Sequence, residues 1–250
     1  MNILISRILT YLNGTLMFDE YYLFCLYVVN HYRYFEDIEL SDIVADQKIS
    51  KESILAFCDL LGFSSFEQFK QTLLQDYTLR TDQIHARMLG TNSEDIINKM
   101  ETSLSKEELQ AFVSKLCKVL YEVKRIILIG PLYPISIAVE FQTDFITFGK
   151  PVIQYHHFDQ QIRVNEDDII IYISATGRSM GDFKIINEKT NAEKAKSLLI
   201  TQNKIFTEGE HKPGSHVLHI PGKFDGIHFY HQIMFLFDAI RIQYYQQFYL

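Results

Sequence analysis

After Lys124 the chain breaks into five short, almost uninterrupted apolar runs: Arg125-Ile-Ile-Leu-Ile-Gly130, Pro151-Val-Ile-Gln-Tyr155, Asp168 to Ser174, Ser197-Leu-Leu-Ile-Thr201 and His216-Val-Leu-His-Ile220. A strand with one face in water alternates apolar and polar residues, whereas a strand covered on both faces is apolar throughout. Helical patterns separate several of the runs, most clearly Pro134 to Phe148 and Met180 to Lys196, and Gly226 to Gln247 forms a long closing helix. Parallel neighbours need crossover connections, and helices between buried strands supply them. The pattern predicts an α/β domain built on a doubly wound, five-stranded parallel sheet.

The chain ahead of this has another texture. Residues 1 to 75 hold two glycines, no proline and apolar residues at three- and four-residue spacing, which gives several short helices. The stretch from Arg80 to Ser105 is more polar, with a break at Gly90-Thr-Asn-Ser-Glu and a helix cap at Asn92 or Ser93. From Ser105 to Tyr121 an amphipathic pattern returns, with Leu109, Phe112, Val113, Leu116, Cys117 and Leu120 on one face. The expected organisation is an all-α domain over residues 1–78, a linker or helical connection over 79–104, and the α/β domain over 105–250.

Bulk properties narrow the function classes. With 47% apolar and 14% aromatic residues in 250, the chain buries a full core and is not disordered as a whole. A net charge of −7 opposes broad attraction to nucleic acid or anionic lipid. Cys25, Cys58 and Cys117 lie far apart in apolar helical contexts, as buried reduced thiols do in a reducing compartment. The start, Met1-Asn-Ile-Leu-Ile-Ser-Arg-Ile-Leu-Thr, reads as an amphipathic helix rather than a signal peptide. No stretch reaches the roughly 20 apolar residues that span a bilayer. A cytoplasmic protein without a membrane partner is expected.

One run carries the chemistry. In Asp168-Ile-Ile-Ile-Tyr-Ile-Ser-Ala-Thr-Gly-Arg-Ser179 a buried strand ends in hydroxyls around one glycine, and a helix follows. Backbone N–H groups at a helix start, with Ser174, Thr176 and Ser179 donating beside them, suit an anion. The turn itself holds no carboxylate or lysine, so it is built to bind rather than to react. Three hydroxyls also exceed what a helix cap and tight turn require.

The strand-turn Ile173-Ser-Ala-Thr-Gly-Arg-Ser179 resembles the Ser-x-Ser-Gly-x-Thr signature of the sugar isomerase (SIS) phosphosugar-binding domain, a flavodoxin-like fold. Ile129-Gly130 through Ala138, Phe141 and Gly149-Lys-Pro-Val resembles that domain's first strand, first helix and second strand. Further upstream, Leu40-Ser-Asp-Ile-Val-Ala, Ile49-Ser-Lys-Glu-Ser-Ile and Phe57-Cys-Asp-Leu-Leu-Gly62-Phe-Ser-Ser-Phe-Glu-Gln-Phe-Lys70 resemble the helix-turn-helix of RpiR-type transcriptional regulators. That family joins the two domains in this order. The resemblance implies a homodimeric regulator whose effector is a phosphorylated sugar or amino sugar and whose second partner is operator DNA. Ser174, Thr176 and Ser179 would hold the phosphate, Gly177 would let the backbone approach it, and Thr201 is a secondary candidate. Glu39 to Ala45 would be the supporting helix and Ser50 to Leu61 the recognition helix, with Ser50, Lys51, Glu52 and Ser53 facing DNA.

Two departures stand against the family pattern. SIS domains commonly carry Gly-x-Gly-x-Ser in the first ligand-side loop, where this chain has Gly130-Pro-Leu-Tyr-Pro134; two donors are lost, and Tyr133 offers a stacking face, a hydroxyl or a packed aromatic. Residues 1–80 hold six Lys/Arg against eleven Asp/Glu, a net of −5, with Ala56 where the regulators usually show arginine and Asp59 where a basic residue is common. Phosphate neutralisation supplies most non-specific DNA affinity, so the acidic domain leaves open a module that senses ligand without touching DNA.

Other constellations are weaker. His156-His157, and His228 with His231 near Asp225 or Asp238, lack a recognisable metal spacing, so neither metal nor cofactor is expected. No catalytic residue is assigned; a sugar-phosphate isomerase using His228 or His231 is the alternative enzyme. The stripe Phe229, Phe235, Phe237, Tyr244, Tyr245, Phe248 and Tyr249 suits a core and also a second subunit.

Overall fold

The computed structural model of the chain describes residues 4–130, 136–156, 163–186, 191–208, 214–224 and 226–250. The chain forms two compact units: Met1–Arg87 with Thr143–Pro151, and Met88–Gln142 with Val152–Leu250.

The first unit is helical: α1 (Leu4–Gly14), α2 (Glu20–His31), a 3-10 turn (Tyr32–Asp37), α3 (Leu40–Gln47), α4 (Lys51–Leu60) and α5 (Phe66–Met88). Its core is aromatic. The Phe24 ring lies 5.7 Å edge-on from Phe57 and 5.5 Å from Phe69, and all three side chains are buried. Local chemistry sets the helix ends. Asp19 caps α2 by accepting the Tyr22 N–H at 2.9 Å, and Glu39 with Asp42 forms a capping box on α3. Helix α3 stops at Lys48 in the left-handed region, φ 56°, and α4 begins two residues later at the cap Ser50. At the other end of α4, Gly62 at φ 88° turns the chain back so that Phe63 N–H bonds Cys58 O at 2.9 Å.

A buried ion cluster ties the returning segment 143–151 into this unit. Asp144, wholly buried, accepts from Arg80 Nη2 at 2.6 Å and Arg87 Nη2 at 2.9 Å. Removing Arg80 while Asp144 stays costs about 3–5 kcal/mol, because a buried carboxylate then loses its main counter-charge.

The second unit is an α/β layer structure. Its strands are β1 (Arg125–Gly130), β2 (Val152–His156), β3 (Asp168–Ile173), β4 (Lys196–Thr201) and β5 (Ser215–His219), all parallel, in the order β2-β1-β3-β4-β5. The apolar runs are strands to within a residue. Ile127 pairs with Ile153 on one side and Ile170 on the other, and every residue of β3 is buried. Its helices are α6 (Ser93–Ile97), α7 (Lys106–Glu122), α9 (Arg178–Ile186) and α10 (Ile227–Phe248), while α8 (Val139–Thr147) begins in this unit and ends in the first. The amphipathic face of α7 buries Leu109, Val113, Leu116, Cys117 and Leu120, while Phe112 stays half-exposed. Much of the α10 stripe is core, with Phe229, Phe237, Tyr244 and Tyr245 buried inside this unit.

Two helices are shorter than the sequence pattern suggests. The segment expected over Met180 to Lys196 is helical from Arg178 to Ile186 and a 3-10 turn at Asn191–Glu193, with residues 187–190 outside the described set. The helix starts two residues early, and the hydroxyl of Ser174 accepts the Ser179 N–H of its first turn at 3.2 Å. The segment expected over Pro134 to Phe148 is helical over Val139–Thr147, with residues 131–135 outside the described set; it ends where Gly149 takes φ 80°.

All three cysteines are free and buried, and burial pushes their thiols up, Cys58 to about 12. No helix among the described residues is long and apolar enough to cross a membrane.

Candidate functional site

In the order 2-1-3-4-5 the connections leave the sheet in opposite directions from β1 and β3, and ligands settle beyond the carboxyl ends of strands at such a point. The turn Ser174–Gly177 begins at the carboxyl end of β3. Hydrogen bonds to the sheet fix it from behind. Ser174 N–H donates to Ile200 O at 3.0 Å, and Thr201 Oγ1 and Gln202 N–H both donate to Ala175 O at 2.9 Å. Asn203 Nδ2 donates to Thr176 O at 3.1 Å, and Asn203 N–H donates to Thr201 Oγ1 at 3.1 Å. Thr201 is therefore engaged as donor and acceptor and wholly buried; it holds the turn in place.

Inside the turn, Ser174 Oγ accepts the Ser179 N–H at 3.2 Å, Gly177 N–H donates to Ser174 O at 3.0 Å, and Arg178 N–H donates to Thr176 Oγ1 at 3.3 Å. This leaves the N–H groups of Ala175 and Thr176 and the Ser179 hydroxyl without protein partners among the described residues. Ser174 and Ser179 are buried while Thr176 is exposed. Arg178 is a residue that sequence reasoning misses. Its exposed guanidinium stands on the first turn of α9, 3.5 Å from Asp182, and adds the cation that the hydroxyls lack.

Gly177 sits at φ 80°, and the space a Cβ would fill is taken by the Phe206 ring, whose Cε2 would lie 2.1 Å away. Phe206 belongs to the 3-10 turn Lys204–Thr207 after β4. The glycine is thus required twice, by the backbone angle and by the ring. No local sequence signal pairs residues so far apart.

The serines at α4 are differently placed. Ser50 Oγ accepts the Ser53 N–H at 3.2 Å, as a cap should. Glu20 Oε2 takes both the Ser50 hydroxyl, at 2.7 Å, and the Ser50 N–H, at 3.1 Å. Hydrogen bonds from the Ser53 side chain, then from the Ser50 side chain and backbone, hold the Glu20 carboxyl below its ordinary range. The outward residues of α4 are Lys51, Glu52, Leu55, Ala56, Asp59 and Leu60: one cation, two anions and two leucines.

The remaining candidates scatter. His228 Nε2 lies 3.7 Å from Glu101 Oε2, a partner that spacing does not suggest, and Asp238 pairs with Arg241 at 2.5 Å. Tyr133 and its loop from Pro131 to Pro134, the side chains of His156 and His157, and Asp225 lie outside the described residues. Among the described residues no three His, Cys, Asp or Glu side chains gather as a metal site would need. Nor does the pattern of residues hint at a cleft of about 360 Å3 beside β5, where Ser103 Oγ meets His219 Nδ1 at 2.5 Å.

No protein-family model matches the chain, and no curated protein matches its sequence. Among solved structures it is similar to the Vibrio vulnificus NanR protein complexed with ManNAc-6P, at 13% identity over 99% of this chain and 92% of that one, with a TM-score of 0.43. The sugar isomerase domain of an RpiR transcription factor from Sphaerobacter thermophilus aligns at 13% identity over 67% of this chain and 92% of its own, with a TM-score of 0.40. A protein of Methanococcus jannaschii, inferred to be a 3-hexulose-6-phosphate isomerase, aligns at 16% identity over 68% of this chain and 92% of its own, with a TM-score of 0.44. Likenesses this distant leave the function to be argued from the chain's own residues.

Proposed function

We propose that the chain is a sugar-phosphate-responsive regulator. The observation that carries this reading is the position of the anion-receptive turn: the Ala175 and Thr176 N–H groups and the hydroxyls of Ser174 and Ser179 lie at the carboxyl end of β3, at the switch point of the sheet, with Arg178 on the helix that follows. A phosphate dianion placed there gains charge-assisted hydrogen bonds and the positive end of α9. The turn offers no acid or base, so binding, not turnover, is its work.

The sensor is the region 105–250 and the output is the helical domain of residues 1–78, which binds operator DNA through Ser50, Lys51, Glu52 and Ser53 of α4. The protein works as a homodimer in the cytoplasm; its three buried free thiols suit a reducing compartment. To act as effector, the sugar phosphate binds the DNA-competent and DNA-incompetent states unequally. Titration calorimetry with inorganic phosphate and a panel of hexose and hexosamine 6-phosphates tests the sensor. Binding by the parent that disappears in Ser174→Ala/Thr176→Ala supports it, and binding unchanged in that variant removes the assignment.

A second reading rests on Glu20. Its carboxylate occupies the start of α4, where a DNA phosphate or base edge would approach, and the outward face of α4 is acidic and apolar. On this reading the helical unit meets a protein rather than DNA. A mobility shift with the gene's own upstream region, at low and moderate salt, separates the two; absence of a salt-sensitive shift at micromolar protein selects the second.

A further inference from the structure

One strand further along the sheet, Gln202 follows Thr201 at the carboxyl end of β4. Its backbone is fixed on both sides: the N–H bonds Ala175 O in the turn at 2.9 Å, and the carbonyl lies 3.2 Å from His219 Nε2 at the end of β5. Its side chain is 4% exposed, yet neither Oε1 nor Nε2 has a hydrogen-bond partner among the described residues. A primary amide brings two donors and an acceptor, and burying them unpaired is costly in any folded state. The seat of this amide is nevertheless specific. A Cβ on Gly222 would lie 1.7 Å from Gln202 Nε2 and 2.8 Å from its Cδ. Gly222 is not in the left-handed region, so the backbone does not demand glycine there; the amide does.

The cover over this amide is thin. Pro221, Gly222, Lys223 and Phe224 are all exposed, and Phe224 holds φ 59°, a conformation that a bulky residue adopts only under constraint. Adjacent strands lie about 4.8 Å apart, which puts an amide just beyond β4 within reach of the sugar part of a molecule whose phosphate sits at the end of β3.

We propose that Gln202 is a specificity-determining residue of the turn's ligand. Its amide exchanges hydrogen bonds with a hydroxyl or amino group of the sugar when the segment Pro221–Phe224 moves outward. The ligand class is then a phosphorylated polyol or amino sugar, rather than bare phosphate or a carboxylate. This inference rests on the turn being the phosphate site, and the experiment separates the two claims. Parent, Gln202→Met, Gly222→Ala and Ser174→Ala/Thr176→Ala are titrated with inorganic phosphate and with glucose 6-phosphate, glucosamine 6-phosphate and fructose 6-phosphate, and the Tm of each is taken without ligand. Gln202→Met keeps the length and removes the unpaired amide, so its unliganded Tm rises, its affinity for the preferred sugar phosphate falls about fivefold to tenfold, and its affinity for inorganic phosphate is unchanged. Gly222→Ala displaces the amide and shows the same sugar-selective loss. Equal losses for sugar phosphate and inorganic phosphate, a sugar-phosphate affinity equal to the parent's, or a lower Tm in Gln202→Met overturns the inference while leaving the turn intact. If the parent binds none of the four probes, the turn assignment fails, and the role of Gln202 fails with it.

Discussion

At the starts of α9 and α4 a serine hydroxyl accepts a backbone N–H of the first turn at 3.2 Å: Ser174, four residues before α9, from Ser179, and Ser50, the cap of α4, from Ser53. Their surroundings are opposite. At α4 the Glu20 carboxylate takes the hydroxyl and the N–H of Ser50, so the positive end of that helix already faces an anion from its own chain. At α9 the turn's hydrogen-bond partners are neutral, and the charged group on its first turn is Arg178. A hydroxyl cap therefore says that a helix starts. Whether the start is receptive to an external anion depends on a residue far away in the chain.

The harshest way to break this contrast is Gly177→Ala. It places a side chain at φ 80° and against Phe206, and is expected to cost about 3 kcal/mol in guanidinium unfolding; a loss under about 1 kcal/mol would show that the ring yields easily. Next, Ser174→Ala/Thr176→Ala should weaken phosphate binding by about tenfold or more, since hydrogen bonds to charged groups are the stronger kind, while Ser50→Ala leaves phosphate titrations unchanged. Comparable losses from both variants would erase the distinction. Ser50→Ala should itself cost about 1 kcal/mol of stability, the ordinary worth of a cap, measured by thermal unfolding.

The smallest effect sharpens the comparison from the acid side. The folded-state pKa of Glu20 lies below 4.5, so its ionised form contributes stability above the carboxylate range and loses it as pH falls through the lowered pKa. Glu20→Gln should flatten the fall of Tm below about pH 4.5 and modestly raise low-salt affinity for DNA. An unchanged Tm–pH slope would mean that the pairing contributes nothing to stability.

Much of the α/β unit is legible in the sequence because its determinants are local. The runs ending at Gly130, Tyr155, Ser174, Thr201 and Ile220 are apolar at nearly every position, and the sheet buries them on both faces. Ser50 as a cap and the hydroxyls at Ser174–Ser179 are equally readable, since a cap needs only its own helix. What stays hidden depends on residues distant in sequence: Phe206 on Gly177, Glu20 on Ser50, Glu101 beside His228, and the Gln202 amide against Gly222. None has a spacing rule, because the sheet order and the helix packing bring them together.

The ion cluster around Asp144 bears on how the gene can be divided. Arg80 and Arg87 lie early in the chain, and the carboxylate they share arrives some sixty residues later, after β1 has been made. A fragment ending anywhere between residues 88 and 143 carries both guanidinium groups and no acceptor, so the helical unit is not a contiguous stretch of sequence. During synthesis the ion cluster can close only after the first strand of the sheet has been made. Expression trials that cut the chain at its compositional seam should yield an N-terminal piece less stable than the same residues in the whole protein.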